Sequence, residues 1–244
     1  MLRPLSVYAA GSLRNALPMI LERFSQRFDI DTQLVLGPAG LLRQRIEVGE
    51  TVDLFASANR AHPQRLFVRG LTGEPRRFSR NSLCIIMKNE AELTGRDWLE
   101  ALMDERFILA TSTPHSDPSG DYAVELFQRI DAIHPGCGRK LIARARHLVG
   151  GNFSSPIPKG QQPAPYLIRS GQADIFIGYG NNRRQLEQYD DVKIVTIPPP
   201  YQIEIEYCLC VMNSAPKLAT MLADFILSDD GQRCLQQAGF KSLD

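Results

Sequence analysis

Three segments of this chain bring small residues, hydroxyls and backbone amides to the start of a predicted helix. They are Ala9-Ala10-Gly11-Ser12, Gly37-Pro38-Ala39-Gly40 and Asp117-Pro118-Ser119-Gly120. The chemistry on offer is anion recognition. The first turn of a helix leaves backbone N–H groups unpaired and carries a partial positive charge. Small residues let an anion approach that backbone closely, and Ser12 and Ser119 add hydroxyl donors. Each segment also has a plainer reading: Ser12 as an N-cap, Gly37-Pro38 as a turn, and Asp117-Pro118-Ser119-Gly120 as a turn plus cap. Catalytic signatures do not accompany them. There is no G-x-S-x-G elbow and no Walker loop, and Gly136-Cys137-Gly138 and Gly178-Tyr179-Gly180 lack the third glycine of a dinucleotide fingerprint. His62, His115, His134 and His147 show no metal-ligand spacing and read as surface or capping residues.

These segments are positioned by an alternation of strands and helices. Leu5 to Ala10 predicts a strand, and residues 13–28 predict a helix with Leu13, Leu17, Ile20, Leu21 and Phe24 on one stripe. A strand over 32–36, a helix over 41–48 ending at Gly49 and a strand over 52–56 follow. This βαβαβ opening argues for a parallel sheet with crossover helices. Ligands in such sheets sit beyond the carboxyl ends of the strands, which is where the three segments fall. Further strands are expected over 83–87, 107–110, 175–179, 192–197 and 203–212. Further helices are expected over 97–103, 121–133 and 165–170, with a helical tail over 217–237 interrupted near Asp229-Asp230-Gly231. Residues 150–165, rich in glycine and proline, fit neither class and predict a loop of functional length.

Bulk properties narrow the partners. The chain has 244 residues, enough for one large domain or two lobes with a core each. Its net charge of +1 provides no broad field for nucleic acid or an anionic membrane, so any anion must be recognised locally. No apolar run is long enough to span a bilayer. After Met1 the sequence enters a strand, without the charged and apolar regions of a signal peptide. The expectation is a cytoplasmic protein or a mature form with an added start Met. Cys84, Cys137, Cys208, Cys210 and Cys234 form no C-x-x-C, so buried apolar thiols are expected rather than disulfides or zinc.

Longer motifs carry a family resemblance. Val7-Tyr8-Ala9-Ala10-Gly11-Ser12-Leu13 with Asn15-Ala16 resembles the opening of periplasmic molybdate/tungstate-binding proteins. Val52-Asp53-Leu54-Phe55-Ala56-Ser57-Ala58, Pro118-Ser119-Gly120-Asp121-Tyr122-Ala123 and Gly171-Gln172-Ala173-Asp174-Ile175-Phe176-Ile177-Gly178-Tyr179 resemble later family motifs, in family order. The tail, with Phe225, Gly231 and Gly239-Phe240, is similar to the family's closing pattern.

The resemblance implies a two-lobed α/β fold of the type II periplasmic-binding-protein class, with mostly parallel sheets and a two-strand hinge. Lobe I would take residues 1–81 and 197–244, and lobe II 82–196. It implies a monomeric solute-binding protein, not an enzyme and without a cofactor. That protein would capture molybdate or tungstate between the lobes and deliver it to an ABC transporter permease from the periplasm. Family site residues carry over as Gly11 and Ser12 on the first segment, Ala39 and Gly40 on the second, the Ser119 backbone N–H, and the Tyr179 phenol. Gapless counting adds a backbone donor at Gln161; neighbouring Lys159 has no family counterpart. Ala39 departs from the pattern, because the family has a donor serine there. Rival readings are a binding protein for sulfate, phosphate or an organic anion, a cytoplasmic ligand-sensing domain, and an enzyme using Ser12, Ser119 or a histidine.

Overall fold

The structure, a computed structural model, describes residues 3–158 and 160–243. The chain opens with β1 (Leu5–Ala10), a 3-10 turn (Gly11–Leu13), α1 (Leu17–Phe28), β2 (Thr32–Gly37), α2 (Ala39–Glu47), β3 (Leu54–Ser57), α3 (Ala61–Val68) and β4 (Arg76–Asn81). It continues through β5 (Leu83–Lys88), α4 (Ala91–Thr94), α5 (Trp98–Met103), β6 (Leu109–Ser112), α6 (Pro118–Ile133), α7 (Cys137–Arg144) and β7 (Arg146–Val149). Then come α8 (Pro163–Arg169), β8 (Ile175–Tyr179), a 3-10 turn (Gly180–Asn182), α9 (Arg183–Leu186) and β9 (Val192–Thr196). After a last 3-10 turn (Pro199–Tyr201), β10 (Ile205–Val211), α10 (Lys217–Leu227) and α11 (Asp229–Gln237) close the chain.

The chain folds as two compact units, one of residues up to Asn81 and from Ile205, the other from Ser82 to Glu204. Each is built on a five-stranded sheet. In the first the order is β2-β1-β3-β10-β4, and in the second β7-β6-β8-β5-β9. The two sheets share one plan. β1 pairs in parallel with β2 and β3, while β10 runs antiparallel between β3 and β4. Likewise β6 pairs in parallel with β7 and β8, while β5 runs antiparallel between β8 and β9. Four strands of each sheet therefore share a direction, and the fifth is the long strand next to the crossing between units.

Side-chain periodicity explains the elements. Leu17, Ile20, Leu21 and Phe24 form the buried stripe of α1. The helix expected from residue 13 is replaced by a 3-10 turn and begins at Leu17. Pro18 is the reason: inside a helix its ring would clash with the carbonyl four residues back, so it is tolerated only in the first turn. The tail breaks at Ser228, whose side chain caps α11. Phe24, Phe55, Phe78 and Tyr207 are fully buried in the first unit, and Ile85 and Phe127 in the second. Among the described residues, 150–158 and 160–162 contain no helix or strand.

Residues 197–204 belong to the second unit, so the division falls at 204/205 rather than at 196/197. The reason lies in Tyr201 and Gln202. The Tyr201 ring packs edge-on against Trp98 at 4.9 Å, lies parallel to His134 at 6.0 Å, and its hydroxyl is 2.7 Å from His134 Nε2. Arg129 donates to the Gln202 carbonyl. Proline-rich sequence there reads as a break, but these contacts tie it to α5 and α6.

Candidate functional site

In the first unit, two of the three anticipated segments meet. Ala10 and Gly37 are register partners at the carboxyl ends of β1 and β2, so the turns that follow lie side by side. Gly11 and Ser12 occupy the 3-10 turn rather than the first turn of α1. A Cβ on Gly11 would come within 3.4 Å of the Arg14 guanidinium, whose Nε donates to the Gly11 carbonyl at 2.8 Å. This pins the turn. Across from it, Pro38 caps α2 without a side-chain bond, and Ala39 and Gly40, both buried, form the first turn. The first intrahelical bond is Leu42 N–H to the Pro38 carbonyl, so the amides of Ala39 and Gly40 precede the ladder. A hydroxyl and a helix start thus stand on adjacent strands.

Ser12 has a support that local sequence does not reveal. Its Oγ lies 2.8 Å from the Tyr207 hydroxyl. Asn81 Nδ2 donates to the same hydroxyl at 3.3 Å. Tyr207 is fully buried and Asn81 nearly so. Tyr207 sits in a strand that reads as apolar core and Asn81 ends an arginine-rich one, and only the β10–β4 pairing brings them together behind Ser12.

In the second unit, Tyr179 ends β8, which pairs in parallel with β6, and Ser119 lies in the first turn of α6, the helix that follows β6. α6 begins at Pro118, three residues earlier than the sequence suggests, with Asp117 as its cap. This changes the role expected for Ser119. Its backbone N–H donates to the Asp117 carboxylate at 3.1 Å, so the anticipated ligand donor is engaged as a helix cap. Tyr179 is buried.

The 150–162 loop is fastened to the same place. A Cβ on Gly150 would stand 2.7 Å from the Asp117 carboxylate and the residue has φ +76°, so only glycine fits there. Val149 accepts bonds from the Thr113 amide at 2.7 Å and hydroxyl at 2.9 Å. Gln161, the anticipated backbone donor, follows in this loop. Its side chain is exposed and its N–H donates to the Pro158 carbonyl at 3.0 Å, closing a turn. Lys159 lies outside the described residues.

The remaining reactive groups are structural. Cys84, Cys208, Cys210 and Cys234 are buried and every cysteine is free. Burial pushes the Cys84 and Cys210 thiols up to about 12 and Cys208 up to about 11, which suppresses the thiolate form. Among the described residues no His, Cys, Asp and Glu group is arranged to hold a metal ion. His62 packs near Arg43, Glu47 and Arg65 on α2 and α3. Burial, then the charges of Arg43 and Arg65, push it down to about 4.

Comparisons with known proteins place the chain in a family and match its fold. A family model described as "Bacterial extracellular solute-binding protein" matches residues 5–241. An uncharacterized protein of Pasteurella multocida is 40% identical, covering 96% of this chain and 97% of its own length. The molybdate-binding protein ModA of Escherichia coli is 24% identical, over 97% of this chain and 88% of its length. Among solved structures, the Azotobacter vinelandii periplasmic molybdate-binding protein superposes with a TM-score of 0.78 at 19% identity, covering 98% and 100% of the two chains. The Mycobacterium tuberculosis sulfate-binding protein SubI superposes with a TM-score of 0.79 at 17% identity, covering 100% and 88%.

Proposed function

This chain belongs to the bacterial extracellular solute-binding proteins, and from that membership we propose that it captures a small tetrahedral oxyanion, molybdate or tungstate, for an ABC-type uptake transporter. The fold is that of the type II periplasmic binding proteins. The observation that carries the proposal is the pairing of Ser12 with the start of α2 on adjacent strands. A hydroxyl beside unladdered amides suits an anion held by dipoles rather than by a countercharge. Gly11, Ser12, Ala39 and Gly40 would supply donors from the first unit. Tyr179 and the Ser119 hydroxyl would supply them from the second. The relatives named as molybdate-binding support this choice of ligand. The working partner would be the transporter's membrane permease, and the site of action the periplasm.

One observation favours a second reading within the same class. The Asp117 carboxylate occupies the Ser119 amide, and Ala39 lacks a hydroxyl. Both changes suit a ligand other than molybdate, such as a phosphate that keeps a proton to donate to Asp117 or an organic anion whose neutral part meets it. Calorimetric titration with molybdate, tungstate, sulfate and phosphate tests the readings together. Submicromolar binding of molybdate or tungstate, with sulfate far weaker, is the expected outcome. Heat only with sulfate or phosphate selects the second reading, and no heat with any of the four removes the oxyanion.

A further inference from the structure

A separate polar cluster lies inside the first unit, where α2 meets α3. Two nitrogens there, Arg43 Nε and His62 Nε2, are buried and make no hydrogen bond. Arg43 as a whole is more than nine-tenths buried. Native proteins pair nearly all such atoms, and an orphan marks an ordered water or an ion. We propose that Arg43 and His62 hold a small monovalent anion, chloride, that braces α2 against α3.

Charge selects the anion over a water molecule. Three guanidinium groups gather on one carboxylate, that of Glu47. Arg43 Nη1 reaches its Oε2 along α2, while Arg65 Nε and Arg69 Nη1 reach its Oε1 from α3 at 2.9 and 3.0 Å. Among the described residues no other carboxylate bonds these three arginines. At the His62 ring, the charges of Arg43 and of Arg65 each outweigh that of Glu47. A buried anion also needs hydrogen-bond donors. Arg43 Nε always carries its hydrogen. A neutral imidazole carries one hydrogen on either nitrogen, and an anion selects the form with Nε2–H. Both residues are held from behind. Glu47 fixes the Arg43 guanidinium, and the His62 amide donates to Asn59 Oδ1 at 3.1 Å, which also accepts from Ser57 Oγ at 3.0 Å. The donors are side chains of the second turn of α2 and of α3, not the amides of Ala39 and Gly40, so this site and the oxyanion site stand or fall separately.

The test follows thermal unfolding of the whole chain as sodium chloride replaces sodium fluoride at constant ionic strength. A ligand bound only to the native state raises the melting temperature along a saturable curve. Chloride and bromide should both do so. Arg43→Met keeps the apolar stem and leaves Glu47 to Arg65 and Arg69. The half-saturating chloride concentration should then rise about tenfold, as for the loss of a charge-assisted bond. His62→Phe keeps a ring and removes the donor, and should raise it about fivefold. This variant serves if Arg43→Met does not fold. In crystals grown with sodium bromide, the anomalous signal should lie between Arg43 Nε and His62 Nε2. Equal melting temperatures in chloride and fluoride overturn the proposal and leave a water molecule at the two nitrogens. A chloride effect unchanged in either variant also overturns it, by placing the anion elsewhere, the Ser12 turn included. Failure to bind molybdate, tungstate or sulfate counts against the oxyanion reading alone.

Discussion

At the scale of single residues, the proposed site is a matter of which donors are engaged and which are missing. Ala39 is fully buried in the first turn of α2, at a position where the family resemblance implies a serine. If position 39 faces a molybdate site, Ala39→Ser should tighten molybdate binding about fivefold, the scale of one net hydrogen bond of roughly 1 kcal/mol. A site adapted to another ligand would be crowded by the new hydroxyl and lose affinity for that ligand. Parallel titrations of parent and variant with molybdate and sulfate separate the two. Tyr179 supplies the complementary case. Tyr179→Phe should cost about 1.5–3 kcal/mol of oxyanion binding, as expected for a charge-assisted bond to a phenol. Its melting temperature without ligand should stay close to that of the parent, and equal affinity would place the hydroxyl outside the site.

At the scale of elements, the ends of helices and the contact between α2 and α3 govern behaviour. Asp117 caps α6 through the Ser119 amide and places a carboxylate at the first turn of α6, part of the proposed site. Asn caps as well as Asp does. Asp117→Asn should therefore keep thermal stability while removing the opposing charge, and oxyanion binding should tighten about fivefold, a like-charge term of roughly 1 kcal/mol. Loss of stability without change in affinity would make the residue a cap and nothing more. Between α2 and α3, His62 Nε2 is buried without a hydrogen-bond partner. Its folded value of about 4 lies below the ordinary 6.5. The unfolded chain thus binds a proton more readily between these values. Stability is full above about pH 6.5 and falls as the pH drops to 4, by up to about 3 kcal/mol. Urea unfolding at pH 7 and pH 4.5 should show this loss, and His62→Gln should shrink it. An unchanged difference between the two pH values in the variant would assign the loss to other groups.

At the scale of the whole molecule, the two sheets repeat one topology, and each keeps its own core. The cysteines are distributed through those cores as small apolar side chains, with Cys137 the partly exposed member. A thiol reagent at pH 8 should therefore label the native protein rapidly at Cys137 and slowly at Cys84, Cys208, Cys210 and Cys234, while all five react in denaturant. Fast labelling of Cys84 or Cys210 in the native state would mean that the sheet carrying it opens locally.

The sequence by itself determined the elements whose side chains repeat with a clear period. β1, β2 and β3 and the buried stripe of α1 are legible because apolar residues recur at strand or helix spacing. The small-residue turns after β1 and β2 are legible because glycine, proline and serine mark them. β4 was not, because it carries few apolar residues: Arg76–Asn81 buries one large apolar side chain, Phe78, among arginines. Local turns engage the amides of Ser119 and Gln161, which donate to the Asp117 carboxylate and the Pro158 carbonyl respectively. Tertiary structure alone decided what stands behind Ser12. Ser12 and Tyr207 are 195 positions apart. Strand pairing has no local signature at such a separation, so the phenol behind the serine exists only once β10 has entered the sheet beside β4.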